Sequence, residues 1–239
     1  MTKGVPRRKP GDESSAVPAF GSPDDPKRLQ DSLTNAATRG WLYSVLSLAF
    51  YRPDGRASEV WRGVVDLIAV SGAVPPGVGS AQPPVTENYV ERLEVEFNRL
   101  FVGPGHLRCP PYESVYDRER PRGEAGLLAG PSVFDVKKLY AQAGFQLSSS
   151  FEDYPDHISV ELEFMAHLCG KESRSGEGDA RRWASWEAEF LDRHIGRWAI
   201  QFADSVLRST SHPFYVAGAT LLKRFMLDEL SSFHGQEGY

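Results

Sequence analysis

Hydrophobic positions recur every three or four residues along most of this chain. The first stripe ends near Pro53 and consists of Leu33, Ala36, Ala37, Gly40, Trp41, Ser44, Val45 and Leu48. Stripes with the same spacing occupy residues 60–68, 89–101, 136–143, 160–168, 183–202 and 216–230. This spacing is typical of amphipathic helices, which turn once in about 3.6 residues. No segment alternates apolar and polar residues as a half-buried strand does, so we predict an all-α fold, a single-domain helical bundle.

Residues that start or stop helices stand at the ends of these stripes. Thr86, Ser132 and Asp156 are good N-cap residues for the helices that follow them. Gly103 stands at the end of one stripe, where glycine commonly terminates a helix. The tryptophan-rich stripe is predicted to form two core helices that separate near Gly196, rather than a cofactor pocket.

Segments at both ends and near the middle of the chain lack this spacing. Residues 1–28 are rich in proline, glycine, serine and charge, and we predict a disordered N-terminal tail there. Residues 72–84 are predicted to form a loop, and residues 234–239 a C-terminal tail. The helical domain is expected to span residues 29–233.

Composition narrows the class of protein. The chain has 239 residues, of which 41% are hydrophobic and 25% charged, as in ordinary soluble globular proteins. Its formal net charge of −5 argues against nucleic-acid binding, which needs a basic stripe. No apolar run approaches the roughly 20 residues that span a bilayer, so stable membrane insertion is not expected.

Two further features favour a cytoplasmic location. Arg7, Arg8 and Lys9 are similar to the basic start of an export signal, but polar residues follow where the apolar segment of a signal would stand. Cys109 and Cys169 stand outside any Cys-x-x-Cys pair. Free thiols in a reducing compartment are therefore expected, rather than zinc binding or redox chemistry.

Two segments join helical patterns to rigid connections that carry aromatic and polar groups. The first passes through residues 97–105 and then reads Pro110-Pro111-Tyr112-Glu113-Ser114-Val115-Tyr116. The second begins Tyr154-Pro155-Asp156-His157-Ile158 and continues into Glu161-Leu162-Glu163-Phe164-Met165. Connections of this kind between helices are typical of recognition sites.

Asp156 and His157 are the leading candidates for a chemical role. At a helix N-terminus they could face a cleft, where Asp156 could pair with an arginine of a partner through a bidentate contact. Alternatively, Asp156 only caps its helix and His157 lies on the surface. Tyr112 and Tyr116 could likewise cover apolar side chains of a ligand, or their loop could simply plug the bundle.

Enzyme chemistry finds little support in the sequence. His157 and Glu161 share a helical face, but a metal site needs three or four converging ligands. A small metal-dependent hydrolase that uses these two residues is the alternative function. The sequence has no Gly-x-Ser-x-Gly elbow, and residues 103–105 lack the lysine and hydroxyl residue of a phosphate loop. We therefore predict a protein that is not an enzyme, with no catalytic residues, metal or cofactor.

In their order and spacing, these motifs resemble the TorD/DmsD/NarJ family of molybdoenzyme maturation chaperones, most closely its TorD-like branch. The resemblance covers about residues 33–230. It rests on residues 97–105, residues 110–116, the cap at 155–158 and residues 161–165. Each motif alone is modest, but four in register are specific.

The resemblance implies an all-helical chaperone without catalytic activity. Such proteins hold the apo form of a molybdopterin oxidoreductase of the dimethyl sulfoxide reductase type, and bind its twin-arginine signal peptide until the cofactor is inserted. The expected partner is therefore the catalytic subunit of such an enzyme. A further alternative is that this protein is itself a structural subunit of a redox complex. The residues expected to bind the client are Tyr112, Glu113, Tyr116, Pro155, Asp156, His157 and Glu161.

Overall fold

The computed structural model describes residues 35–71, 88–103, 107–117, 128–147, 151 and 153–236, and within them the all-α prediction is confirmed. The helices are α1 (Ala36–Ala49), α2 (Ala57–Ser71), α3 (Tyr89–Phe97), α4 (Glu113–Tyr116), α5 (Pro131–Gln142), α6 (Ile158–Arg174), α7 (Glu177–Phe190), α8 (Gly196–Ser209) and α9 (Pro213–Gln236). A first π-helical turn (Asn98–Val102) follows α3, and a second (Leu191–Ile195) joins α7 to α8. None of the helices in these residues combines the length and apolar character that crossing a membrane requires.

Several sequence predictions concern other parts of the chain. The tail at 1–28, the loop at 72–84 and the N-cap Thr86 lie outside the described residues. Helix α9 extends to Gln236, into the segment 234–239 that was predicted as a C-terminal tail.

Long central helices enclose a core that is rich in aromatic side chains. Helix α1 makes its most extensive contacts with α6, and α8 with α9, while α7 covers another side of α6. The largest side chains with almost no exposure are Trp198, Tyr43, Tyr215, Phe50, Phe164, Phe190 and Phe202. Burying one such side chain contributes about 1.5–3 kcal/mol, so this layer holds the helices together.

The stop signal predicted at Gly103 is confirmed. The first π-helical turn closes with the Gly103 N–H donating to the Asn98 carbonyl oxygen at 2.6 Å. Gly103 has a φ of 72°, a left-handed conformation that glycine adopts without strain. The wider turn leaves Leu100 and Phe101 buried in the core.

The predicted division of this stripe into two helices near Gly196 is confirmed, but the expected break between them is wrong, because a π-helical turn keeps the chain helical from α7 into α8. The Gly196 N–H donates to the carbonyl oxygen of Leu191, at the spacing of a π-helix. A Cβ atom at position 196 would collide with that same oxygen, so the turn requires glycine. The turn also directs the side chains of His194 and Ile195 into the interior.

Two predicted N-caps are also wrong. Helix α5 begins at Pro131, because proline has a backbone already suited to the first helical position, and Gly130 is the N-cap. Ser132 therefore lies inside the first turn, where its buried hydroxyl has no hydrogen-bond partner. Helix α6 is capped by His157, and Asp156 serves another helix.

A largely buried ionic cluster joins α1 to the C-terminal halves of α6, α7 and α9. Nη2 of Arg39 lies 2.9 Å from Glu172 and 2.6 Å from Glu187, and its Nε lies 3.7 Å from Glu229. Tyr43 donates to Glu229 at 2.9 Å. One guanidinium on α1 thus interacts with carboxylates from α6, α7 and α9.

We expect Arg39→Ala to lower the free energy of unfolding by about 3–5 kcal/mol, because it leaves buried carboxylates without their cation. Urea denaturation measures the change. Arg224→Ala is the control, because its pair with Asp228 is about half exposed and one helical turn apart. The control should change stability by no more than about 0.5 kcal/mol. Equal losses in both variants would contradict a structural role for the Arg39 cluster.

We expect Gly196→Ala to destabilise the protein by about 1–3 kcal/mol, because the new methyl group must displace the Leu191 carbonyl or the turn must rewind. Gly178→Ala in α7 is the control, because a Cβ there meets no atom within 4 Å. The control should leave stability unchanged or raise it by up to about 1 kcal/mol. Thermal unfolding compares the two, and a neutral Gly196→Ala would rule out the π-helical turn.

Candidate functional site

The two segments singled out in the sequence lie side by side. The Ile158 N–H donates to the Pro111 carbonyl oxygen at 2.8 Å, and the Glu113 N–H donates to the Asp156 carbonyl oxygen at 3.0 Å. These backbone hydrogen bonds hold the short helix α4 against the N-terminus of α6. The segments therefore form one structural unit.

Asp156 adds a side-chain bond to this unit. It is fully buried, and its Oδ2 accepts the Ser114 N–H at 2.9 Å. That N–H belongs to the first turn of α4, where backbone donors have no partner within the helix. Asp156 therefore caps α4 rather than α6, which is why the predicted assignment fails. Burial raises the pKa of Asp156, and the Ser114 hydrogen bond opposes this.

His157 is buried and caps α6 with its ring. The Ser159 N–H donates to His157 Nδ1 at 3.1 Å, and the Ser159 hydroxyl lies 2.7 Å from the same atom. Burial lowers the pKa of His157 to about 4, so the ring is neutral at pH 7. The alternative that placed His157 on the surface is therefore wrong. In the described part of the chain, no three His, Cys, Asp or Glu residues are grouped so as to hold a metal ion.

Aromatic rings cover the outside of the unit. Tyr112 forms an isolated β-bridge with His157, and its ring packs edge-on against the rings of Tyr154 and His157 at 5.8 and 5.4 Å. Its hydroxyl donates to Asp153 at 2.9 Å. Tyr112 is half-buried and Tyr154 is 38% exposed, so both rings reach solvent. The predicted site residues did not include Tyr154, although it stands directly before Pro155.

Glu113 follows Tyr112 in the chain, is buried, and pairs with a histidine that sequence reasoning missed. Glu113 is 8% exposed, and both of its carboxylate oxygens lie 3.1 Å from Nδ1 of His194. His194 belongs to the second π-helical turn. The one sequence feature that could have indicated the position of His194 is Gly196, because a glycine inside a helical segment allows a π-helical turn to form.

Glu161 lies deeper. It has no exposed surface, and its Oε2 accepts the Trp198 indole N–H at 3.0 Å. Burial raises the pKa of Glu161 well above its usual value, and the nearby Glu113 and Asp156 raise it further. Both effects favour the protonated form of Glu161 over the ionised form. The ring of Tyr116 stacks on that of Trp198 with their centroids 5.3 Å apart, so α4 packs directly against α8.

Pro155 connects the unit to α5, because its carbonyl oxygen accepts the Tyr140 hydroxyl at 3.0 Å. The seven predicted residues thus lie together, but at different depths. Tyr112, Tyr116 and Pro155 are half-buried. The remaining four are buried, and they are Glu113, Asp156, His157 and Glu161. The unit can therefore offer aromatic surface directly and carboxyl groups only just behind it.

Comparison with known proteins shows which family this chain belongs to. Residues 74–204 match the nitrate reductase delta subunit family. The chlorate reductase assembly chaperone protein of Ideonella dechloratans is 30% identical over 184 residues, which are 75% of this chain and 81% of the relative. The selenate reductase assembly chaperone protein of Thauera selenatis is 34% identical over 129 residues, 52% of this chain and 61% of the relative.

A third relative is the chaperone protein TorD of Photobacterium profundum, 29% identical over 147 residues, 61% of this chain and 65% of the relative. The chain spans less than two thirds of the length of the TorD and selenate reductase relatives. The family match covers more than half of the chain. The chain therefore belongs to the nitrate reductase delta subunit family, that of the TorD/NarJ maturation chaperones.

Proposed function

We propose that this protein is a cytoplasmic maturation chaperone for a molybdopterin oxidoreductase of the dimethyl sulfoxide reductase type. It holds the apo catalytic subunit and binds its twin-arginine signal peptide until the cofactor is inserted. The names of the relatives, assembly chaperones for chlorate and selenate reductases, support a reductase as the client. The protein binds its client and catalyses no reaction.

The observation that carries this proposal is a single unit that combines partly exposed aromatic rings with buried carboxyl groups. A twin-arginine peptide has a basic head and an apolar body. The rings of Tyr112 and Tyr154 suit the apolar body, and Glu113, next to Tyr112 in the chain, suits a guanidinium. Because backbone bonds to α6 hold α4 in place, the site is formed before the peptide arrives.

The same geometry disfavours the alternative hydrolase at His157 and Glu161. Both side chains are buried, and both bond to groups of the protein itself, His157 to Ser159 and Glu161 to Trp198. A neutral capping histidine and a fully buried carboxyl group that accepts the Trp198 indole N–H are not placed to activate water for a substrate.

The expected affinity is moderate. A flexible peptide loses several kcal/mol of conformational freedom when it becomes ordered on a surface. A few aromatic contacts and one charge-assisted pair then leave a net binding free energy of about −8 kcal/mol, which is micromolar. Such binding is reversible, as a chaperone that must release its client requires.

We expect Tyr112→Ala to weaken peptide binding about tenfold or more, because truncating a central aromatic contact commonly costs more than about 1.4 kcal/mol. The probes are synthetic twin-arginine leaders of the molybdopterin oxidoreductases encoded in the same genome, titrated calorimetrically. Tyr112→Phe keeps the ring and should bind within about threefold of the parent, because only the exposed bond to Asp153 is lost.

Leu227→Ala is the matched surface control. Leu227 is 45% exposed on α9, and Glu229, two residues further on, shares Arg39 with Glu172 near the C-terminal end of α6. Helix α6 has 17 residues, so that end lies about 25 Å from His157. This variant should bind as the parent does. Unchanged affinity in Tyr112→Ala would remove Tyr112 from the site, and failure of every leader to bind would contradict signal-peptide binding.

A further inference from the structure

Within the described residues, the three carboxyl groups of this unit have one basic ion-pair partner, which is His194 beside Glu113. No lysine or arginine in that part of the chain forms an ion pair with Glu113, Asp156 or Glu161. The second oxygen of Asp156 is buried and has no hydrogen-bond partner there, and Glu161 bonds to the Trp198 indole and, in its protonated form, to Glu113. The Arg39 cluster contrasts with this one, because its carboxylates surround a guanidinium.

The groups that interact with Glu161 come from several elements. They are Glu113 of α4, Asp156 before α6, Tyr140 of α5 and Trp198 of α8. His194 of the second π-helical turn pairs with Glu113, and the ring of His157 bonds to Ser159. Burial keeps Tyr140 un-ionised and His157 neutral, since it raises the pKa of the first and lowers that of the second. Additional negative charge is unfavourable here, and the proton on Glu161 removes one such charge.

We propose that Glu113 and Glu161 form a proton-linked receptor for an arginine of the client, in which the guanidinium binds Glu113 and Glu161 then releases its proton to the solvent. The O–H bond of Glu161 breaks, the proton passes to the buffer, and the guanidinium keeps its own charge. The inference rests on the proposed function and adds that client binding is coupled to a proton.

Glu113 is the member of the group that a partner can reach. It is 8% exposed and follows the half-exposed Tyr112, whereas Asp156 and Glu161 have no exposed surface. Its two oxygens share one nitrogen of His194 at 3.1 Å, longer than the roughly 2.7–2.9 Å of a charge-assisted bond. A guanidinium offers two donors to the same two oxygens and so makes the better partner.

Glu161 becomes easier to ionise when the guanidinium binds, because a positive charge is added next to a group of carboxyl groups. A cation at Glu113 favours the ionised form of a neighbouring carboxyl group, so the pKa of Glu161 falls when the peptide binds. Binding that releases one proton becomes stronger as pH rises, by up to about tenfold per pH unit between the two pKa values of Glu161. The affinity should level off above the higher of these values.

The test is calorimetric titration of the full chain with the tightest-binding synthetic leader, at one pH, in phosphate and in imidazole buffer. Because these buffers differ in ionisation enthalpy, the difference in observed heat gives the number of protons released. We expect a value near one and an affinity that rises with pH until Glu161 is ionised in the free protein as well. The same leader with citrulline in place of both arginines should bind weakly and release no proton.

Glu161→Gln keeps an acceptor for Trp198 and cannot ionise, so it should bind the leader without proton release and without the pH dependence. Glu163→Gln is the matched control, because Glu163 is exposed on the same helix, and this variant should leave proton release unchanged.

Leader binding without proton release, or release that persists in Glu161→Gln, overturns the inference and leaves the proposed function intact. Failure of every leader to bind overturns both. If Glu161→Gln does not fold, the two-buffer titration of the parent protein decides alone.

Discussion

The geometry of the site depends on the bond between the Asp156 carboxylate and the Ser114 N–H. A helix of four residues has no stability of its own, because so short a helix gains too few hydrogen bonds to offset the entropy of forming its first turn. Helix α4 exists because Asp156 and the backbone before α6 satisfy its free donors. Tyr112 and Glu113 take their positions from this attachment, and α6 is in turn held by its packing on α1.

Two buried groups of carboxylates in this protein differ in whether they contain their own cation, and this difference distinguishes a structural cluster from the proposed binding site. The cluster around Arg39 contains its own cation and links helices far from α4. The cluster of Glu113, Asp156 and Glu161 has an imidazole, an indole and a backbone N–H as partners. A guanidinium from a partner would stabilise these carboxylates more than it would stabilise the Arg39 cluster, which already contains a cation. The effect is large because charges attract more strongly in the low dielectric of a protein interior.

The proline-rich motifs singled out the two segments of the proposed site, and the periodicity of apolar residues was enough to predict the long helices and the all-α fold. It could not assign Asp156 to the correct helix, because a good capping residue does not reveal which free N–H it will meet. It also missed His194, because a π-helical turn shifts the register of every residue after it and breaks the spacing of about 3.6 on which the prediction depends. Burial of Glu161 was equally hidden, since a glutamate in the first turn of a helix is usually exposed.

Coupling of client binding to proton release would also lower the affinity of the proposed receptor for the client arginine. Ionising Glu161 beside Glu113 and Asp156 opposes part of the energy gained when a guanidinium meets Glu113, so the complex is weaker than the contact alone would make it. Lysine would gain less, because a single ammonium cannot bond both oxygens of Glu113 in parallel. The same arrangement therefore favours arginine and keeps the complex weak enough to dissociate, which are the two properties that a chaperone of twin-arginine clients needs.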